Sequence, residues 1–270
     1  MSKTALRAAV IQFGPGPDID ANLDIAGAWI AAAVKDGAEL LVLQEAFAYR
    51  GPHQPEDMQR VTEAIPGPIS QWLSDQARSH GIWLHGGSLF EANPEDPAHA
   101  FNTSLVFDPT GSCVGKYRKI HLFALHQGSS VSEADYQCPG AADDIVTVAT
   151  PWGGLGLSIC FDLRFPDLYQ HQVRRQAARL LSVPSAFLFK TGADHWDVLL
   201  RARAIETQCF VLAPNCLSLD PPQTYGRSQI VDPWGNVLAR MPDRSGYVLA
   251  DLDFELQDKI RRQLPVLSKA

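Results

Sequence analysis

The sequence predicts an α/β sandwich, in which sheet layers are flanked by helices. Three observations carry this expectation. Short apolar runs alternate with helical patterns along the chain, hairpin signals interrupt the alternation, and no repeat, charge block or low-complexity linker divides it. Strict alternation would point to a parallel sheet, whereas the hairpins require antiparallel pairs as well. A length of 270 residues allows one large domain or two small ones. Without a linker, the expectation is a single domain over 1–270. A chain this long can bury a full core without disulfide or metal staples.

Each element has a local reason. Ala8–Phe13 reads as a strand. Asp18–Val34 is an amphipathic helix, with Asp18 or Asp20 as its cap. Glu39–Leu43 is a buried strand. Pro66-Gly67-Pro68 opens a helix over Ile69–Ser79, and His80-Gly81 closes it. Ile82–Phe90 is the next strand. Asp108-Pro109-Thr110-Gly111 has type I turn chemistry and joins Phe101–Phe107 to Cys113–Arg118 as a hairpin. In the strand Leu155–Ile159, a period of two sets Leu155, Leu157 and Ile159 on one face and Gly156, Ser158 and Cys160 on the other. A helix follows from Phe165 or Pro166. Leu180–Val183 is a strand and His195–Thr207 a helix. Phe210–Ala213 and Ser228–Val231 are strands. Asp232-Pro233-Trp234-Gly235 repeats the turn chemistry before Val237–Arg240. Tyr247–Asp251 and the helix Phe254–Gln263 close the chain.

Composition narrows the function classes. Apolar residues make up 46% and charged residues 20%, a globular balance. With 23 Lys and Arg against 30 Asp and Glu, the net charge is −7, which argues against nucleic acid or an anionic membrane as partner. Arg174-Arg175 and Arg261-Arg262 are short pairs on helix faces, not a patch. The five cysteines are odd in number and lack a C-x-x-C, so neither a disulfide framework nor a zinc ribbon is expected. The longest uncharged apolar run, near Ala26–Val34, falls far short of the ~18–20 residues that span a bilayer. The N-terminus leads straight into the first strand and shows no h-region. A reducing cytoplasm is the expected location.

Three reactive residues close predicted strands: Glu45, Lys119 and Cys160. Functional groups gather at such ends in α/β sheets. Taken singly, each has a bland reading as core packing or solvated surface. Together they make a chemistry. A cysteine with an ordinary pKa near ~8.5 is mostly thiol at neutral pH and needs a base. Glu45 could take that proton as sulfur attacks a carbonyl carbon. Lys119 and a backbone N–H, with Phe161 the natural candidate, could stabilise the oxyanion. Glu45 could then protonate a departing amine, and water would hydrolyse the thioester.

The residues around these positions resemble the nitrilase (carbon–nitrogen hydrolase) superfamily. The segments are Leu-Val-Leu-Gln-Glu45, Gly-Lys-Tyr-Arg-Lys119-Ile-His-Leu-Phe and Ser-Ile-Cys160-Phe-Asp-Leu-Arg-Phe-Pro. Phe101-Asn102-Thr103-Ser104, the Asp232 turn and Arg262-Gln263-Leu264-Pro265-Val266 extend the likeness nearly end to end. The resemblance implies a four-layer α-β-β-α sandwich, a Glu45–Lys119–Cys160 triad, no cofactor or metal, and a homodimer or higher homo-oligomer. It also implies that Glu133 is the family's second glutamate, supporting the lysine and positioning substrate. Gln44 departs from the family pattern, which has proline before the glutamate. Within the superfamily, Leu199–Cys209 and Pro184–Phe187 resemble the Nit branch. That implies an amidase acting on a small carboxylate-bearing amide, deaminated glutathione first, with ω-amidase, carbamoylase and nitrilase activities as alternatives. A catalytically silent binding scaffold is the non-enzyme alternative.

Other motifs carry less. His121, His126 and Cys138 match no zinc spacing, and His121 is expected to hold local backbone. Gly154-x-Gly156 lacks the rest of a dinucleotide fingerprint, and Ser158 sits in no nucleophile elbow. Asp162 is expected to pair structurally beside the nucleophile. Arg201 and Arg203 are expected on a solvated or interface face, and Cys113, Cys138, Cys209 and Cys216 as packing residues. Arg50, Arg164, Lys190 and Arg227 are the candidate cations for a substrate carboxylate.

Overall fold

A computed structural model describes residues 3–127 and 129–269. Its strands in chain order are β1 (Ala5–Gln12), β2 (Leu40–Val42), β3 (Trp83–His85), β4 (Leu89–Glu91), β5 (Ala100–Phe107), β6 (Cys113–Arg118), β7 (Ala124–Gln127), β8 (Ser129–Ser132), β9 (Gln137–Cys138), β10 (Thr147–Thr150), β11 (Gly153–Leu157), β12 (Ala178–Ser182), β13 (Phe210–Ala213), β14 (Gln229–Val231), β15 (Val237–Arg240) and β16 (Gly246–Asp253). The helices are α1 (Ile19–Lys35), α2 (Pro55–Val61), α3 (Pro68–His80), α4 (Pro166–Gln176), α5 (Phe189–Thr207) and α6 (Phe254–Gln263).

Among the described residues, fourteen of these strands form two mixed sheets, and β7 and β8 pair as a separate antiparallel hairpin. The first runs β16-β1-β2-β3-β5-β4, with β6 and β9 also pairing to β5. The second runs β10-β11-β12-β13-β14-β15. In each, a parallel centre is edged by antiparallel strands: β1-β2-β3 in one and β11-β12-β13 in the other. This is the mixture that alternation plus hairpins predicted.

Side-chain alternation explains the layers. Ala8 and Val10 of β1, with Leu40 and Val42 of β2, belong to the core shared with the second sheet. Ala9, Ile11, Leu41 and Leu43 face the other way, onto Ala26, Ile30 and Ala33 of α1 and Leu73 and Ala77 of α3. On the far side, Leu168, Tyr169 and Val173 of α4 and Trp196, Leu200 and Ala204 of α5 cover the second sheet. The chain is therefore a four-layer α-β-β-α sandwich. Central strands buried on both faces need continuous apolar runs, which is what Ala8–Ile11 of β1, β2 and β13 carry. Among the described residues no helix is long and apolar enough to cross a membrane.

Local signals set most helix ends. The Asp18 carboxylate caps α1 by accepting from Ala21 N–H. Pro68 and Pro166 open α3 and α4, and Gly81 ends α3 in the left-handed region. Three expectations need correction. The segment Pro55–Val61 is a helix that no apolar periodicity announced. Helix α5 starts at Phe189 rather than His195. The strand expected over Ile82–Phe90 is two strands, because Gly86-Gly87 breaks it with Gly87 at φ +59°.

That break matters for the site. A Cβ at Gly87 would sit 2.0 Å from the Gln44 carbonyl oxygen. The main chain can pass so close to the residue before Glu45 only because position 87 has no side chain. Gly87→Ala is expected to cost at least ~2 kcal/mol in urea unfolding, from the clash and the left-handed backbone together. A loss under ~0.5 kcal/mol would show that this close approach is not a constraint.

Candidate active site

The four candidate side chains come from four loops at strand or hairpin ends. Glu45 follows β2 in a turn whose next residue, Ala46, adopts φ +49°. The Ala46 N–H donates to Ser88 Oγ at 2.9 Å, so the Gly86-Gly87 break delivers the residue that holds this turn. The Glu45 carbonyl accepts from Cys216 Sγ at 3.3 Å. Gln44 is fully buried, and its Nε2 reaches the Phe13 carbonyl at 3.4 Å.

Lys119 follows β6. Its N–H donates to the Asn102 carbonyl and its carbonyl accepts from Gly140 N–H, each at 2.8 Å. The side chain has no exposure at all. Glu133 opens a 3-10 turn after the β7–β8 hairpin. Its Oε2 accepts from Phe123 N–H at 2.7 Å, and its own N–H donates to the Phe123 carbonyl at 2.9 Å. Cys160 begins a 3-10 turn after β11, at φ +49°, with its N–H donating to the Pro184 carbonyl at 2.8 Å. A non-glycine residue held in the left-handed region is strained and persists only when its surroundings enforce it.

Lys119 joins the carboxylates. Its Nζ donates to Glu45 Oε1 at 2.9 Å and to Glu133 Oε1 and Oε2 at 2.9 and 2.8 Å. Asn102 Nδ2 donates to the same Glu45 oxygen at 3.0 Å. Glu45 Oε2 accepts from no group among the described residues, so it is the oxygen available for proton transfer. Asn102 is a site residue that sequence reasoning quoted without a role. Its only signal was a place inside a recognised segment.

The charges shape the titrations. Burial alone would push the Lys119 ammonium down, but Glu133 and Glu45 outweigh it and hold it well above its ordinary value. Burial raises Glu133, with the Glu45 charge adding and the ammonium opposing. Burial also pushes the Cys160 thiol well up, with Glu45 adding and Lys119 opposing, while the Ala186 N–H faces the sulfur. The resting group is a thiol that needs a base.

Asp162 pairs structurally, as expected. It accepts from Tyr117 OH at 2.7 Å, from Ile159 N–H at 2.9 Å, and from His121 N–H and Nδ1 at 3.0 and 2.7 Å. It thereby ties the cysteine turn to the Lys119 loop. The Phe161 N–H donates to no acceptor among the described residues, leaving it available to a ligand. The Arg164 guanidinium lies 5.5 Å from the Phe161 ring centre and 5.3 Å from that of Phe187, with a buried, unpartnered Nε.

Other placements differ from expectation. Arg203 is buried, not solvated. It donates to the Leu163 carbonyl at 3.1 Å and to Glu206 at 2.8 Å, because this face of α5 packs on the cysteine turn. Cys113 is exposed, since β6 turns that side chain to solvent, while Cys209 and Cys216 are buried. Lys190 lies on the surface paired with Asp194, and Arg227 pairs with Asp243. The His126 side chain lies outside the described residues. Among the described residues no three His, Cys, Asp or Glu side chains cluster as metal ligands.

The carbon–nitrogen hydrolase family model matches residues 7–262. The chain belongs to the carbon–nitrogen hydrolase family. This carbon–nitrogen hydrolase is 38% identical over 263 residues to the nitrilase and fragile histidine triad fusion protein NitFhit of Caenorhabditis elegans, covering 96% of the chain and 59% of that relative. The crystal structure of that protein superposes with a TM-score of 0.92 at 36% identity, covering 100% of the chain and 66% of the other. The chain is thus only about three-fifths the length of the fusion protein. It is 36% identical over 265 residues to the deaminated glutathione amidase of a Synechocystis strain, covering 96% of each. Identity to the human omega-amidase NIT2 is 35% over 265 residues, covering 97% of the chain and 94% of the relative. Family and relatives together make the chain an amide-hydrolysing enzyme.

Replacing Lys119 by Met would strand two buried carboxylates without their cation, at an expected cost of ~3–5 kcal/mol near pH 8. Without the ammonium, Glu133 would rise further above its ordinary value. A carboxyl raised in the fold favours folding at low pH, and that contribution is lost as pH climbs through the folded value. The stability deficit of Lys119→Met should therefore be smaller at pH 5 than at pH 8. Equal deficits in urea unfolding at both pH values would refute this account.

Proposed function

We propose that this enzyme is an amidase that cleaves a small carboxylate-bearing amide, deaminated glutathione first among them, through a Cys160 thioester. The observation that carries the reading is the buried ammonium of Lys119 between Glu45 and Glu133, whose charges act on the Cys160 thiol. A silent scaffold would gain nothing from this assembly. It would bear the desolvation of three ionisable groups without using them.

The geometry supports a stepwise route. Glu45 Oε2 removes the Cys160 proton as sulfur attacks the amide carbon. Negative charge moves to the carbonyl oxygen. There the Lys119 ammonium and the Phe161 N–H stabilise it from fixed positions in a buried site. The C–N bond breaks, and protonated Glu45 gives its proton to the departing amine. Glu45 then takes a proton from water, whose oxygen attacks the thioester. Collapse releases the carboxylate product and restores the thiol. Glu133 keeps Lys119 charged and in place throughout.

The substrate's acyl half meets Arg164. Its Nε is buried without a partner, and its charge acts on Cys160. A planar guanidinium fits a carboxylate in two-point contact. Of the four candidate cations, Lys190 and Arg227 are set aside by their surface pairs with Asp194 and Asp243. The reading includes a homodimer or higher homo-oligomer in a reducing cytoplasm, in keeping with an odd count of five cysteines and no C-x-x-C.

Cys160→Ala should lower kcat/KM on deaminated glutathione by at least ~10⁴-fold while circular dichroism and melting stay near wild type. Full activity in that variant would overturn the mechanism. Wild-type kcat/KM should also favour deaminated glutathione over 2-oxoglutaramate. A tenfold preference for the latter, ~1.4 kcal/mol of transition-state binding, would reassign the enzyme as an ω-amidase.

A further inference from the structure

Arg50 sits five residues beyond Glu45, just past the turn that begins there. Its backbone is pinned, with the N–H donating to the Gly16 carbonyl at 3.0 Å. The side chain is half-buried yet enters no salt bridge among the described residues. A cation in that state is available to an anion from outside the chain. Beside it stands an aromatic wall. The His53 ring stacks on Tyr136 at 4.1 Å and 14°, and both rings meet Phe90 edge-on. Tyr136 closes the short turn that begins at Glu133, its N–H donating to the Glu133 carbonyl at 3.1 Å. The wall thus continues directly from the carboxylate pair around Lys119.

The electrostatics agree with this placement. Burial, and after it the Arg50 charge, depresses His53 to about 4, so that ring is neutral at physiological pH. Arg50 also acts on Tyr136 and on Cys216, whose sulfur touches the Glu45 carbonyl. Arg50 therefore belongs to the Glu45–Glu133 side of the site. Arg164 belongs to the Cys160 side, between the Phe161 and Phe187 rings.

We infer that Arg50 receives a carboxylate on the amine half of the substrate, beyond the scissile bond from the carboxylate held by Arg164. This rests on the amidase reading above and deepens it. Deaminated glutathione has the matching chemistry: a 2-oxo acid carboxylate on the acyl half and a terminal glycine carboxylate on the amine half. Glu45 is the group that hands a proton to the leaving amine, so a cation just past the Glu45 turn lies where that half departs. 2-Oxoglutaramate releases only ammonia and has nothing for Arg50 to hold. Arg50 is thus a specificity-determining residue that separates peptide-like amides from simple ones.

The test compares deaminated glutathione with its C-terminal carboxamide, in which the glycine carboxylate is neutral. Wild-type enzyme should prefer the free acid by tenfold or more in kcat/KM, chiefly through KM. In Arg50→Met that ratio should fall to within about twofold of unity, and Arg50→Lys should recover part of it. General damage to the fold lowers both substrates together and leaves the ratio unchanged, so the ratio reports recognition alone. A wild-type ratio near one, or a ratio that survives in Arg50→Met, overturns the assignment of Arg50. Failure of the wild-type enzyme to turn over either peptide-like substrate while it cleaves 2-oxoglutaramate overturns the substrate reading itself, and this inference with it.

Discussion

Everything at this site depends on one buried ammonium. Lys119 has no exposure to water, and an isolated charge there would be prohibitively costly. It is tolerated because Glu45 and Glu133 supply three oxygen contacts within 2.9 Å. The dependence is mutual, since either carboxylate would be a stranded anion without the lysine. The cluster has to form as a unit, and the loops that carry its members are tied down accordingly. Ser88 holds the Glu45 turn, Asn102 and Gly140 hold the Lys119 backbone, and Phe123 holds Glu133.

The sandwich provides the rigid base for those ties. Parallel strands at the centre of each sheet carry Glu45 and Cys160 past their C-terminal ends, while Lys119 follows β6, which runs antiparallel to β5. Two residues in the left-handed region, Ala46 and Cys160, mark where the chain leaves the sheets to reach the site. Each is enforced by a neighbour. Ser88 receives the Ala46 N–H, and the Pro184 carbonyl receives that of Cys160. Strain at these two points is offset by the packing of the double-faced core beneath them. The residues behind the site are tied down as well. Asp162 gathers four donors, from Ile159, from His121 in the Lys119 loop and from Tyr117, so the Cys160 turn and the Lys119 ammonium are held in one frame.

Much of the fold was legible in the sequence because its signals are local. The cap at Asp18, the prolines at 68 and 166 and the glycine at 81 act within one turn of their own positions. Strand ends pointed to Glu45, Lys119 and Cys160, and the family resemblance drew attention to Glu133. The misses share a different cause. Helix α2 is a single polar-rich stretch of seven residues, too short for a period to emerge. The Gly86-Gly87 break lies inside an apolar run and shows itself only through its contact with Gln44. Arg203 looks solvated by composition, and its burial against the cysteine turn is a property of how α5 docks.

The sequence by itself determined which groups were available: one thiol at a strand end, two carboxylates and an ammonium in a recognisable order, and an alternation of elements that permits only a layered α/β fold. It determined the conformations at helix starts and turns, because those free energies are set by neighbours along the chain. Only the tertiary structure decided which groups meet. Glu45 and Lys119 are 74 residues apart in sequence and 2.9 Å apart in space. Coulomb energy and desolvation depend on that spatial distance and on burial, neither of which the order of residues states. For the same reason four cations look alike in sequence, while in the folded chain Lys190 and Arg227 are occupied by surface partners, Arg164 lies over the Phe161 and Phe187 rings, and Arg50 enters no salt bridge among the described residues.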